Sequence, residues 1–302
     1  MALRIIKSAD PIKVERLNLC LYAPPGVGKT SMAFTADSPL LLDFDEGAHR
    51  ASNRKDSVRA TSWGDVADLT AEDLAPYKTV IVDTAGRALD KLTADIIRRN
   101  PKAGRGGALT LQGYGTLKAE FTAWLRMLNG FGKDVVLIAH MDEQRNGDEI
   151  VERLDVQGGS KGEIYKAADA MGRIAIREGK RVLLFSPTDA AFGKNPGQLE
   201  PLMVPHKDAP EFADFFAGIV QQIKDRLNTL TEEQSEAQQV LESWREIIGG
   251  LNDAADFNDK LTGIKQAPKA AQALFAKAAT DKGLAFDKKA GEYAAKTETE
   301  PA

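Results

Sequence analysis

An α/β fold built on a mostly parallel sheet, followed by a smaller helical region, is the architecture this 302-residue sequence predicts. Three observations carry the prediction. Short, continuously apolar runs such as Thr79-Val80-Ile81-Val82-Asp83 and Val135-Val136-Leu137-Ile138-Ala139 alternate with helical stretches, the pattern of parallel strands buried on both faces. A glycine-rich turn, Ala23-Pro24-Pro25-Gly26-Val27-Gly28-Lys29-Thr30, joins the first strand to the first helix. Beyond Phe212 no strand-like run recurs, and Ala, Glu, Gln, Lys and Asp dominate.

Residues 1–16 form a polar lead-in containing Pro11, and Leu17 to Tyr22 is the first strand. A helix from Lys29 to Ala36 stops before Asp37-Ser38-Pro39, and Leu40-Leu41-Leu42-Asp43-Phe44 is the next strand. A short strand over 58–62, a helix over 64–75, the strand at 79–83 and a helix over 85–98 follow. Residues 100–115 are rich in Gly and basic side chains. From Gly115 to Asn129, Leu117, Phe121, Trp124, Leu125 and Leu128 recur at helical spacing and read as a core-facing stripe. Strands at 134–140, 171–177 and 181–186 complete the sheet, with a long polar loop over 141–162. Helices are expected at 211–228, 231–249, 253–262 and 267–281, with Pro268 suited to a start and Gly283 to a stop. The resulting division is a lead-in at 1–16, a core at 17–210, a helical region at 211–296 and a disordered tail at 297–302.

With 43% apolar and 28% charged residues the chain can fill a core and keep a solvated surface. Its apolar runs fall short of the roughly 20 residues that cross a bilayer, and the first residues lack a signal-peptide pattern, so a cytoplasmic location is expected. The single Cys20 excludes an intramolecular disulfide and reads as a small core residue. A net charge of −4 excludes a globally basic coat, and any nucleic-acid contact must come from a local patch.

The glycine-rich turn is a phosphate-binding loop. Gly26 and Gly28 let successive backbone N–H groups turn toward phosphate oxygens, with Pro24, Pro25, Val27 and Ser31 in the same cradle. Lys29 is placed to reach the β- and γ-phosphates of ATP, and Thr30 to offer its hydroxyl to Mg²⁺. Ala23 stands where the motif has its first glycine. Asp83, at the carboxyl end of its strand, can hold a Mg²⁺-bound water. Asp43, Asp45 and Glu46 cluster at the end of the second strand, where a carboxylate could orient and deprotonate an attacking water; Asp45 or Glu46 would serve. His140, one of three histidines, ends the strand at 134–140 and could report the state of the γ-phosphate.

Segment 98–133 holds Arg98, Arg99, Lys102, Arg105, Lys118, Arg126 and Lys133 against Glu120 alone, a local net charge of +6. Such a stretch suits the backbone of single-stranded DNA. Residues 223–302 carry 11 Lys/Arg and 14 Asp/Glu, and their net −3 makes them a poor main DNA contact. Tyr114 is the one aromatic near the basic stretch, too few for tight base reading.

The order of these elements resembles the RecA/RadA recombinase core, and most of all the minimal, core-only recombinases of the phage Sak group. The residues that carry the resemblance are the loop at 23–30, the run Leu41 to Arg50, the Asp83 strand, Leu111-Gln112-Gly113-Tyr114-Gly115, and Ile138-Ala139-His140 leading into Gly158-Gly159-Ser160-Lys161; it spans about 17–205. It implies a RecA-like ATPase using ATP and Mg²⁺ in a bacterial host cell, self-association into a filament or ring, and single-stranded DNA as ligand, with a single-strand-binding protein as a further partner. It supports Asp45 as catalytic carboxylate with Glu46 beside it, while His140 departs from the amide usual in bacterial RecA. It also implies a cation from the next subunit, for which Lys194 is the candidate, and DNA-facing loops at 98–113 and 143–162, hence Arg98, Arg99, Lys102 and Arg105, with Arg145, Lys161 and Lys166 secondary. A P-loop phosphotransferase and an ATP-dependent adaptor or loader for replication proteins are the alternatives.

Overall fold

The computed structural model describes residue 3 and residues 5–146, 149–156 and 161–296. Two compact units divide the chain, one of residues 14–227 and one of residues 1–13 with 228–302.

The first unit is organised by a nine-stranded sheet. Its strands are β1 (Asn18–Ala23), β2 (Pro39–Asp43), β3 (Ser57–Arg59), β4 (Thr79–Asp83), β7 (Asp134–Asn146), β8 (Glu149–Leu154), β9 (Ala170–Arg177), β10 (Lys180–Leu184) and β11 (Leu202–Met203), in the order β11-β10-β9-β1-β7-β4-β2-β3, with β8 on β7. From β9 to β3 every pairing is parallel, whereas β10, β11 and β8 are antiparallel additions. Alternation along each strand sorts the apolar residues to two cores. Cys20, Tyr22, Leu42, Val80, Val82 and Leu137 face one side, while Leu19, Leu21, Leu41, Ile81, Val136 and Ile138 face the other. Helices α3 (Ala85–Arg99) and α4 (Leu111–Gly130) cover the first face through Leu89, Leu92, Phe121 and Trp124. Helix α1 (Lys29–Ala33) and the start of α6 (Phe215–Gly250) cover the second through Met32, Phe216 and Ile219. Covering both faces requires crossovers between parallel strands, and these gather the functional loops at the strands' carboxyl ends.

Several elements differ from expectation for local reasons. The helix expected at 64–75 is only α2 (Gly64–Ala67); the Thr70 hydroxyl and the Asp73 carboxylate instead hydrogen-bond each other's backbone N–H, at 3.2 and 2.9 Å, in a local turn that competes with the helix. Helix α4 starts at Leu111, four residues early, because Thr110 caps it by accepting from the Gly113 N–H at 3.2 Å. A Cβ on Gly113 would stand 2.3 Å from the Ala103 carbonyl, so that glycine serves close packing. The basic stretch before it is an ordered two-stranded hairpin, β5 (Gly104–Arg105) with β6 (Ala108–Leu109), turning at Gly106 and Gly107, both at positive φ. The expected loop at 141–162 is largely replaced by β7 continuing to Asn146 and pairing with β8, with α5 (Lys161–Ala167) after it; residues 157–160 lie outside the described residues.

In the second unit, the two helices expected up to 249 are one, α6, which runs across residue 228. Helices α7 (Ala254–Asp259), α8 (Leu261–Gln266) and α9 (Lys269–Asp281) follow. The expectation of no strand here is wrong: β12 (Leu284–Asp287) pairs with β13 (Glu292–Ala295), placing Phe286 opposite Tyr293. Leu251, Phe257, Ile264, Phe275 and Leu284 give this unit its own core. The tail expected to be disordered lies outside the described residues. Among the described residues no helix is long and apolar enough to cross a membrane.

Candidate nucleotide site

Strand β1 ends at Ala23, and the chain turns through Gly26 and Gly28, at φ +81° and +88°, before entering α1 at Lys29. A side chain at these φ values is strained, so the loop geometry depends on glycine. A Cβ on Gly26 would meet nothing within 4 Å, so the loop faces open space. Arg181 of β10 braces the loop from behind, its guanidinium donating to the carbonyls of Val27 at 3.4 Å and Pro205 at 2.9 Å.

A cleft of about 470 Å³ opens at this edge of the sheet, lined by Pro25, Gly26, Gly28, Lys29, Thr30, Ser31, Asp45, Gly47, Arg50, Ala51, Asp83 and His140. The Lys29 ammonium is buried and donates to the carbonyls of Ala23 at 3.0 Å and Pro24 at 2.9 Å. Burial lowers its pKa to about 8, against the raising influence of Asp83 and Asp45. Thr30 Oγ1 donates to Asp83 Oδ2 at 2.6 Å. Burial raises Asp83 to about 6, opposed by that hydrogen bond and by Lys29.

Because β7 lies between β1 and β4, His140 is delivered between the loop and Asp83, in register with Ala23. His140 Nδ1 is 3.4 Å from Lys29 Nζ. An ammonium can only donate, so Nδ1 is the acceptor and the proton of the neutral ring is assigned to Nε2, 4.0 Å from Asp45 Oδ2. Burial, then Lys29, lowers the His140 pKa.

The three acids after β2 separate. Asp43 turns inward and accepts from the N–H groups of Gly47 at 3.0 Å and Ala48 at 2.9 Å, shaping the loop. Asp45 enters the cleft. Glu46, at φ +51°, points away and pairs with Arg59. Asp45 is faced by Arg50 at 3.3 Å, Arg87 at 3.7 Å and the His140 ring. The sequence assigns no role to Arg50, within the run Leu41–Arg50, or to Arg87, which carries no local signal.

The donor set fits a nucleoside triphosphate with Mg²⁺. A glycine cradle open toward solvent, a buried ammonium held on replaceable carbonyls and a hydroxyl–carboxylate pair provide phosphate and metal contacts in one cleft.

Other expected site residues lie elsewhere. Lys194 is not among the cleft-lining residues. Its half-buried ammonium donates to the carbonyls of Tyr165 and Ala168, at 2.6 and 2.5 Å, at the end of α5. Arg98 pairs with Asp95, and Arg99 with Asp95 and Glu120. Lys102 and Arg105 are exposed beside and on the β5–β6 hairpin, and Arg145 is exposed on β7 opposite Ile150. Lys166 pairs with Glu163 at 3.3 Å, and Lys161 opens α5 with its side chain outside the described residues.

Two solved structures are similar to the chain: a KaiC-like protein from Pyrococcus horikoshii, at 11% identity and a TM-score of 0.33 over 61% of this chain and 88% of that one, and a RadB recombinase, at 14% identity and a TM-score of 0.31 over 56% and 79%. No curated protein matches it. The sheet is mostly parallel, with helices on both faces and the glycine loop at the carboxyl end of β1. The AAA domain family matches residues 15–196, the sheet and cleft together, and the chain belongs to that family.

Proposed function

We propose that this protein is an ATP- and Mg²⁺-dependent ATPase that binds single-stranded DNA as a filament or ring and promotes annealing or recombination, in the manner of the phage Sak group. The observation that carries the ATPase half is the convergence of Lys29, Thr30, Asp83, Asp45 and His140 on one cleft from four different loops and strands.

ATP would supply the phosphoanhydride and Mg²⁺ the positive charge that offsets its phosphates, and Lys29, Thr30 and Asp83 would hold the two. Asp45 takes a proton from water, and the polarity of its neighbours places that carboxylate. His140 contacts both Lys29 and the Asp45 side of the cleft, and so registers the state of the phosphates. DNA contact is assigned to Lys102 and Arg105, with Arg98 and Arg99 contributing less because each already has carboxylate partners. Coupling requires that ATP bind the DNA-competent state more tightly.

The cations around Asp45 favour a second reading, an adaptor that binds ATP and turns it over negligibly. Oligothymidine binding and ATPase rate, each measured with and without the other ligand, separate the two. DNA-stimulated turnover and ATP-dependent binding support the ATPase; ATP-dependent binding without turnover supports the adaptor; no ATP-dependent binding at low salt refutes the DNA reading.

A further inference from the structure

Summed charge hides a division within the second unit. Residues 228–259 carry Arg245 against eight acids, a net −7, while residues 260–296 carry eight lysines against Asp281, Asp287 and Glu292, a net +5. Opposite contributions cancel in the total, which made this region look like a poor nucleic-acid contact. Lys260 pairs with Asp259 at 2.8 Å. The other seven lysines are exposed, and none forms an ion pair with any of the described residues.

The β12–β13 hairpin concentrates the feature. Lys288 and Lys289 occupy its turn, whereas Lys282 and Lys296 flank its open end, where the Lys296 N–H donates to the Gly283 carbonyl at 2.9 Å. The strands between span about 13 Å. Phe286 lies between these lysine pairs with 39% of its surface exposed. Its ring stands 5.2 Å from Tyr293, which is seated on Phe257 and Phe275 at 5.7 and 5.8 Å. An exposed aromatic on a fixed aromatic base therefore sits between two pairs of unneutralised cations. Of the facing acids, Asp287 is committed to the turn, accepting from the N–H groups of Lys289 at 2.7 Å and Ala290 at 3.3 Å, and Glu292 stands opposite it.

We infer that the β12–β13 hairpin is a second, nucleotide-independent contact for single-stranded nucleic acid, in which Lys282, Lys288, Lys289 and Lys296 engage phosphates and Phe286 stacks on a base. Lysines alone would suit any polyanion; the aromatic between them favours a ligand alternating phosphate with a planar ring. The inference goes beyond the ATP-linked contact at Lys102 and Arg105 and uses none of its residues.

The test is fluorescence-anisotropy binding of the full chain to labelled oligothymidine without nucleotide, across a salt series. Lys282→Gln/Lys288→Gln/Lys289→Gln is expected to reduce the slope of log affinity against log salt by about 2, at roughly 0.7 per lost phosphate contact. Phe286→Ala is expected to weaken binding roughly tenfold, with Phe286→Trp restoring it. Circular dichroism and retained ATP binding report folding, and the triple Gln variant, confined to exposed side chains, covers the case in which Phe286→Ala loosens the hairpin. Wild-type affinity and slope in the triple variant overturn the inference. So does loss of polyglutamate binding with oligothymidine binding intact, which would make the hairpin a dock for an acidic protein. Loss of only the ATP-dependent increment counts against the proposed function and leaves this inference standing.

Discussion

Thr30 in the first turn of α1 and Asp83 at the end of β4 are joined by a 2.6 Å hydrogen bond from hydroxyl to carboxylate. On the proposed function, the pair would present a metal ligand and its outer partner already oriented. Thr30→Ala should lower Mg²⁺-dependent nucleotide affinity by roughly tenfold, in line with a hydrogen bond to a charged group, while Thr30→Ser should retain it. Calorimetric titration with and without Mg²⁺ measures this; an unchanged Mg²⁺ dependence in the alanine variant would reject the assignment.

Nucleotide binding should have an optimum between about pH 6 and pH 8. Asp83, raised to about 6, must be ionised to support the metal, so affinity falls as the pH drops below that value. Lys29, lowered to about 8, must be protonated to meet phosphate, so affinity falls again above it. Without ligand the stability sign for Asp83 is the reverse. A carboxyl whose folded pKa is raised loses stability as pH rises from its unfolded value through about 6, so Asp83→Asn should stabilise the free protein at pH 7 by an amount on the order of 2 kcal/mol, and not at pH 3. Melting curves at the two pH values decide.

Asp45→Ala should reduce kcat by about a hundredfold with little change in ATP affinity, as expected for a general base. Glu46→Ala should stay within about twofold, since its exposed pair with Arg59 lies off the cleft. Comparable loss in both variants, measured in a coupled ATPase assay, would exclude Asp45 as the sole acid.

ATP-dependent DNA binding should respond more to Lys102→Ala/Arg105→Ala than to Arg98→Ala/Arg99→Ala. The former pair is exposed beside and on the glycine-turned hairpin, whereas the latter is shared with Asp95 and Glu120. The double hairpin variant should lower the salt slope by about 1.4. Equal slopes in the two variants would contradict the distinction.

Lys224→Ala should destabilise the first unit by about 2 kcal/mol, read from urea unfolding. Its ammonium donates to Asp134 Oδ2 at 2.6 Å, and both side chains are nearly buried; removing it leaves a carboxylate served by the Leu17 N–H at 2.8 Å without its cation. Asp134→Asn, which keeps an acceptor for Leu17, tests the charge component separately.

The candidate cleft was legible wherever chemistry is local. Lys29, Thr30 and Asp83 are fixed by a glycine spacing and a strand end, both visible in a few consecutive residues. Which of Asp45 and Glu46 lines the cleft was not, because it turns on a positive φ at Glu46 and on the inward hydrogen bonds of Asp43. Charge counting failed where the chain folds charges back on each other. Glu120 reaches Arg99 from 21 residues away, and the window that gave +6 began just after Asp95 and ended just before Asp134. The placement of Lys194 was not legible, because its ammonium meets two carbonyls at a helix end 26 and 29 residues away in sequence. The terminal hairpin was missed because its strands are short and half polar, and only the Phe286–Tyr293 pairing shows their partnership.

Strand β7 does not stop at the cleft. It continues unbroken from His140 to Arg145, about 17 Å of extended chain, while β8 clamps its outer half. A hydrogen-bonded ribbon of this kind resists stretching, so a shift of His140 along the strand axis has no slack segment in which to dissipate. On the proposed function, such a ribbon would carry a shift beside the nucleotide outward along β7 to exposed Asp142, Glu143 and Arg145.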